Sequence, residues 1–239
     1  MNIALIGYGK MGKTIEKLGL EQGLSFPLII DENNPGDLNA TRLKEIDVAV
    51  EFTVPEAAPE NILSCLEYGI PVVSGTTGWN DRFGEIEAFC NQRGGSLFYA
   101  SNFSIGVNIL FAMNQQLARI MNQFPAYRAS MKETHHIHKL DAPSGTAISL
   151  AQQIIKENDR IEEWELMGSD SGSDSLKIEA IREGEVKGIH TISYESDVDF
   201  ISLGHHAKSR DAFVAGALLA VQFIRKKKGV YGMEDLLNL

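Results

Sequence analysis

Only two cysteines occur in 239 residues, Cys65 and Cys90, and they stand in different helix-like segments without a CxxC or other metal-ligand spacing. Their scarcity excludes a cysteine-based metal site and fits a reduced, cytoplasmic protein in which both thiols serve as small core hydrophobes. Cations are also in deficit: 22 Lys and Arg face 32 Asp and Glu, giving a formal net charge of -10. Holding a phosphate backbone needs clustered Lys and Arg over a broad face, so no nucleic-acid partner is expected. The one dense basic run, Arg225 to Lys228, closes an apolar helical segment, where cations complement the negative end of the helix dipole. No uninterrupted apolar stretch approaches the roughly 20 residues of a membrane helix. The sequence does not open with a basic stretch leading into a long apolar one, so neither a membrane association nor a signal peptide is expected. What remains, 44% hydrophobic and 23% charged residues, is globular composition with material for one large or two small cores.

The first hundred residues alternate β-type runs, Ile3–Ile6, Leu28–Ile30, Val48–Phe52, Val72–Val73 and Leu97–Tyr99, with helix candidates at about Lys10–Gln22, Glu56–Tyr68 and Asp81–Gln92. Alternation of this kind predicts an α/β fold with parallel strands and crossover helices. Gly23, Gly69 and Gly94 lie where helix C-caps belong. From Ser104 the texture changes. Ile105–Met113 is apolar on nearly every side and predicts a buried helix that crosses between domains. Beyond it, β-type stretches at Tyr127–Thr134, Ser175–Arg182, Gly188–Tyr194 and Asp199–Gly204 predict a mostly antiparallel sheet, interrupted by a helix over Ser144–Glu157. The polar run Gly168–Ser175 predicts a mobile surface loop. Ala212–Ile224 predicts a strongly apolar last helix.

Gly7-Tyr8-Gly9-Lys10-Met11-Gly12 is GxGxxG placed directly after the first strand and opening the first helix. In that context Gly7 permits a tight turn, Gly9 lets a pyrophosphate approach the backbone, and Gly12 lets the helix pack closely on the strand, while the helix N-terminal amides face the phosphates. An acid is required about 20 residues on to bind the adenosine ribose hydroxyls, and Asp31 is there. Asp31 and Glu32 would repel a 2′-phosphate, with Lys10 only a partial offset, which predicts that NADH serves at least as well as NADPH.

Glu133–Ala147 concentrates His135, His136 and His138, then Lys139, then a helix start at Pro143-Ser144. Extended backbone at His135 would send His135 and Ile137 to one side and His136 and His138 to the other. The first amides of the helix, at Gly145, Thr146 and Ala147, offer donors with positive dipole character, so this is a carboxylate or phosphate site. Lys139 adds a full charge, Thr146 a hydroxyl, and a neighbouring histidine a proton near neutral pH. A metal held by the HHxH run is not expected: no carboxylate or cysteine stands at familiar spacing and Lys139 would repel the cation.

These residues match a family. GYGKMG, GTTGW at Gly75–Trp79, SNFSIGVN at Ser101–Asn108, HHIHKLDAPSGTA at His135–Ala147, REGEVKGIHT at Arg182–Thr191 and KSRDAFVAGA at Lys208–Ala217 resemble the dihydrodipicolinate reductases, in order and across nearly the whole chain. The resemblance implies a Rossmann-type doubly wound parallel sheet over residues 1–103, rejoined by 211–239, around an α+β substrate-binding and tetramerisation domain at 104–210. It implies reduction of 4-hydroxy-tetrahydrodipicolinate with loss of water, NADH or NADPH as cofactor, and a homotetramer. It further implies that Gly75, Thr76 and Thr77 line the nicotinamide pocket with Phe52 and with Ala100, Asn102 and Phe103. His135 then resembles the proton donor or acceptor and Lys139 the second catalytic group, while His136, Lys139, Gly145 and Thr146 resemble the binders of the substrate carboxylate. Three departures stand out: Ile137 where many members carry Arg, Glu51 where Asp is common, and short connections around 33–39 and 157–175. Two other readings fit the nucleotide turn alone, a different two-domain amino-acid dehydrogenase and a redox-sensing regulator. The His135–Ala147 segment argues against the first, and the lack of a basic helix-turn-helix against the second.

Overall fold

The computed structural model describes residues 1–168, 174–209 and 211–239. The chain divides into two compact units, Met1–Ile105 with Asp211–Leu239, and Gly106–Arg210. The core of the expected loop at Gly168–Ser175, residues 169–173, lies outside the described residues.

In the first unit the strands β1 (Asn2–Ile6), β2 (Ser25–Ile30), β3 (Val48–Glu51), β4 (Val72–Ser74) and β5 (Ser96–Tyr99) alternate with helices α1 (Lys10–Glu21), α2 (Ala40–Leu43), α3 (Ala58–Glu67) and α4 (Phe83–Gln92). From α5 (Ile105–Met121) the chain enters the second unit. That unit holds β6 (Arg128–His135), α6 (Gly145–Glu157), β7 (Glu163–Leu166), β8 (Ser175–Arg182), β9 (Ile189–Glu195) and β10 (Phe200–His206). The chain then returns through α7 (Asp211–Ile224), β11 (Gly229–Tyr231) and α8 (Met233–Leu237).

The first sheet has the order β11-β5-β4-β3-β1-β2 and every pair is parallel. Its inner strands β1, β3, β4 and β5 are buried on both faces almost throughout, as parallel sheets require. Successive side chains of β1 part company: Ile3 and Leu5 pack with Ile15 of α1 and Val214 and Val221 of α7, whereas Ala4 and Ile6 pack with Ile62 of α3 and Ile86 of α4. Cys65 and Cys90 belong to the second of these clusters as buried free thiols, and burial, with Glu51 nearby, pushes the Cys65 thiol up to about 12. The basic run follows α7, where Lys227 lies over the Phe223 ring at 4.0 Å and Arg225 pairs with Asp47 at 3.1 Å.

The second sheet, ordered β10-β9-β6-β8-β7, is mixed. Its ladders β10–β9 and β9–β6 are antiparallel and longer than the parallel ladders β6–β8 and β7–β8. Helices α5 and α6 cover one face through Leu110, Met121, Leu150 and Ile154, packed on Met131, Ile178, Ile192 and Tyr194. One expectation is corrected here. The helix from Ile105 runs on to Met121 and is not buried all round: Val107, Leu110, Ala118 and Met121 form its buried face, but Ile109, Met113 and Ile120 are about half exposed. The apolar residues exceed what one stripe against a sheet can cover.

Candidate active site

Ile6, the last residue of β1, pairs with Ile30 on one side and Glu51 on the other. The turn that follows therefore emerges where the strand order reverses, the ligand crevice of such sheets. Gly7 has φ +96, and a Cβ there would stand 2.0 Å from the Phe52 carbonyl oxygen; one at Gly12 would stand 2.2 Å from that of Gly7. Both positions require glycine. Gly9 caps α1 with no side-chain bond and nothing lies within 4 Å of its Cβ position, so the first-turn amides are left for an anion. Asp31 follows β2 and accepts from the Asn33 amide at 2.8 Å.

Two cavities flank the turn. One of about 560 Å³ is lined by Gly7, Tyr8, Gly9, Asp31, Glu32 and Asn61 among others. The other, about 330 Å³, is lined by Gly9, Lys10, Met11, Phe52, Gly75, Thr76 and Thr77, with Thr53 and Pro55. These residues fit the two ends of a dinucleotide. Gly12, Ala100, Asn102 and Phe103 line neither cavity. Ala100 and Phe103 are buried in the core, where the Phe103 ring lies 5.6 Å from Phe52 and its carbonyl oxygen presses on Gly216. The Asn102 side chain accepts from the Ser104 amide at 2.9 Å.

Glu51, the departure noted in the sequence, is fully buried. Its carboxylate accepts hydrogen bonds from Ser74 Oγ at 2.6 Å, Thr76 Oγ1 at 2.7 Å, the Thr53 amide at 2.9 Å and the Thr53 hydroxyl. It thereby ties the ends of β3 and β4 beneath Phe52 and Thr76. The Thr76 hydroxyl is committed to this network, accepting from the Thr53 amide at 2.8 Å while it donates to Glu51.

In the second unit the inward positions of the sheet run apolar and then turn polar at one end. On β6, Met131 gives way to Glu133 and His135; on β9, Ile192 gives way to His190; on β8, Ile178 gives way to Arg182. Register places Glu133 opposite His190 and His135 opposite Arg182. Glu133 is fully buried, and both its oxygens lie 3.1 Å from the Ser144 amide. Arg182 donates to Oε1 at 3.1 Å, and Nδ1 of His135 stands 3.3 Å from Oε2. Burial pushes the Glu133 carboxyl up, but the bonds from His135, Ser144 and Arg182 outweigh it and bring it down to about 2. Burial and the neighbouring His135 pull His190 down to about 4.

His135 ends β6, and a turn follows in which Ile137 is exposed and the His136 and His138 rings sit 6.0 Å apart. His138 reaches Glu185 at 3.4 Å. Lys139 Nζ lies 2.8 Å from Asp141. Ser144 caps α6, its Oγ accepting from the Ala147 amide at 3.2 Å. This corrects one expectation: the Ala147 amide is taken by the N-cap, and only those of Gly145 and Thr146 point out of the first turn. Sequence reasoning missed Glu133, Arg182 and His190, which are far apart in the chain and meet only through strand register. The one signal was a polar residue interrupting the inward apolar alternation of each strand. Among the described residues Glu133, His135 and His190 each bring a ligand atom within 4.8 Å of the others. The Arg182 guanidinium already balances that carboxylate, which disfavours a cation there.

Residues 1–103 match the family model described as dihydrodipicolinate reductase, N-terminus, and residues 106–237 match the one described as dihydrodipicolinate reductase, C-terminus. The chain is 45% identical to a 4-hydroxy-tetrahydrodipicolinate reductase of Christiangramia forsetii over 239 residues, covering 100% of this chain and 98% of that protein. It is 35% identical to one of Methanocaldococcus jannaschii over 98% of this chain and 81% of that protein. The fold is similar to a dipicolinate-bound dihydrodipicolinate reductase from Paenisporosarcina sp. TG-14, with a TM-score of 0.78, 22% identity and 98% of each chain covered. It is also similar to apo scyllo-inositol dehydrogenase from Lactobacillus casei, at TM-score 0.58 and 11% identity over 99% of this chain and 92% of that one. With a six-stranded parallel nucleotide-type sheet, a mixed second sheet and family matches over both units, the chain belongs to the dihydrodipicolinate reductase family.

Proposed function

We propose that the protein catalyses the NAD(P)H-dependent reduction of 4-hydroxy-tetrahydrodipicolinate to tetrahydrodipicolinate with loss of water, in lysine and diaminopimelate biosynthesis. The observation that carries this reading is the segment Glu133–Ala147, where a buried histidine, a lysine and the first turn of α6 follow one another at the polar end of the second sheet. Residues 1–103 with 211–239 act as the dinucleotide-binding domain, and 104–210 as the substrate-binding and oligomerisation domain.

The cofactor supplies the hydride when bound. Gly7 and Gly9 bring backbone amides to its phosphates, Asp31 accepts from ribose hydroxyls, and Phe52, Gly75, Thr76 and Thr77 shape the smaller cavity for the nicotinamide. Lys139, His136 and the Gly145 and Thr146 amides bind the dianionic substrate; in an acidic chain this local positive character is what makes binding possible. His135 gives or takes the proton and Lys139 supplies the second catalytic group. Asp31 and Glu32, lining the same cavity, favour NADH over the 2′-phosphorylated cofactor. A cytoplasmic location agrees with the two buried free thiols. No described helix is long and apolar enough to cross a membrane.

Loss of NADH absorbance on adding freshly made 4-hydroxy-tetrahydrodipicolinate is the expected result, with kcat/KM for NADH at least equal to that for NADPH. No turnover with either cofactor would refute the activity, and a hundredfold preference for NADPH would refute the cofactor assignment.

A further inference from the structure

We propose that Glu133 is a positioning residue for both catalytic groups: it fixes the ring and tautomer of His135 directly, and through Arg182 it fixes the turn that carries Lys139. The proposal rests on the assignment of His135 and Lys139 above.

A fully buried carboxylate persists as an anion only when donors surround it. The Ser144 amide and Arg182 occupy much of Glu133, leaving an Oε2 lone pair that faces two rings: His135 Nδ1 at 3.3 Å and His190 Nε2 at 3.8 Å. The choice between them follows from Ser144. Its Oγ accepts from the Ala147 amide and lies 3.1 Å from His190 Nε2, so that nitrogen already has a hydrogen-bond partner of its own. His135 Nδ1, buried, closer to the carboxylate than His190 and without another hydrogen-bond partner, is therefore assigned as the nitrogen whose proton faces Glu133. The bond made by one ring nitrogen decides the state of the other, so in neutral His135 the acceptor is Nε2, and Nε2 is the atom through which a proton passes. Gly188 has no Cβ, which would otherwise stand 3.1 Å from that nitrogen.

Arg182 extends the same anchor. Besides Glu133 it donates to the carbonyls of Lys139 at 3.3 Å, Asp141 and, at 2.8 Å, Ile181. It therefore grips the backbone on both sides of Leu140, and a shorter cation without the guanidinium fork cannot make these bonds together.

Two mutant cycles and one spectrum test this. His135→Ala is expected to lower kcat about 10²-fold or more, as removal of a general acid or base does. Glu133→Gln is expected to lower kcat about tenfold or more with the KM for NADH unchanged, and the double variant to be no slower than His135→Ala alone. Losses that multiply would overturn the action through His135. Arg182→Lys should likewise slow the wild type but not the Lys139→Ala enzyme, and multiplied losses there would overturn its part. The nitrogen-15 spectrum of histidine-labelled wild type should show His135 with its neutral-form proton on Nδ1; a proton on Nε2 overturns the proposal even if Glu133→Gln fails to fold. Full activity in His135→Ala would instead sink the catalytic assignment, and the spectrum would still decide for or against Glu133.

Discussion

Lys139 places its ammonium 2.8 Å from Asp141, and hydrogen bonding to that lysine lowers the Asp141 carboxyl below its ordinary range. A substrate carboxylate must compete with this partner for the same cation. With Lys139 proposed for both binding and turnover, Lys139→Ala is expected to lose about 10²-fold or more in kcat/KM. His136→Ala, at a position proposed for binding and not for proton transfer, should lose far less. Near-normal kcat/KM in Lys139→Ala would refute the catalytic role. At this scale Gly7, Gly9, Asp31, His135 and Lys139 stood out as candidates in the sequence, because each lies within a local motif. Glu133 was legible only as a polar residue before a histidine run, and its partners His190 and Arg182 come from strands about fifty residues away.

Helix α6 shows how an element prepares a site. Its N-cap is Ser144, whose hydroxyl satisfies Ala147, while the Ser144 amide is satisfied by Glu133. The helix start is thus fixed from both sides, and the amides of Gly145 and Thr146 remain for a ligand. Ser144→Ala should destabilise the protein by about 1–2 kcal/mol, from a lost cap and a lost partner for His190, read as a lower thermal midpoint. An unchanged midpoint would mean that the cap contributes nothing. Elements with strong periodicity and clear stops, such as α1, α3, β8 and α7, follow the sequence within a few residues. Four others escaped it: α2, β7, β11 and α8. They span three to five residues, too few to show a period, and β7 and β11 are edge strands held by pairing with β8 and β5 rather than by their own pattern.

For the molecule as a whole, the buried polar cluster makes stability depend on acid. His190 falls from 6.5 to about 4 on folding, so between those values the unfolded chain binds the extra proton and stability is lost as the pH drops, by at most about 3 kcal/mol. Glu133 falls from 4.5 to about 2, so its contribution is present above 4.5 and lost as the pH falls towards 2. The thermal midpoint should decline between pH 6.5 and 4, and His190→Gln should flatten that decline whatever its absolute stability. An equal slope in both proteins would show that His190 is not the titrating group. Edge strand β10 exposes Phe200 and part of Ile201, an apolar edge of the kind that another copy can cover, and the family resemblance proposes a homotetramer. Light scattering is expected to return the mass of four chains, and a clean monomer would sink that proposal.

The sequence by itself determined the alternation of strands and helices, the phosphate-binding turn and the lysine beside a helix start, because these depend on neighbours within a few residues. Only the tertiary structure decided that Glu133, His135, His190 and Arg182 share one buried cluster, and that Glu51 joins two strand ends. Register between distant strands sets those meetings, and a one-residue slip would send each side chain to the opposite face of its sheet.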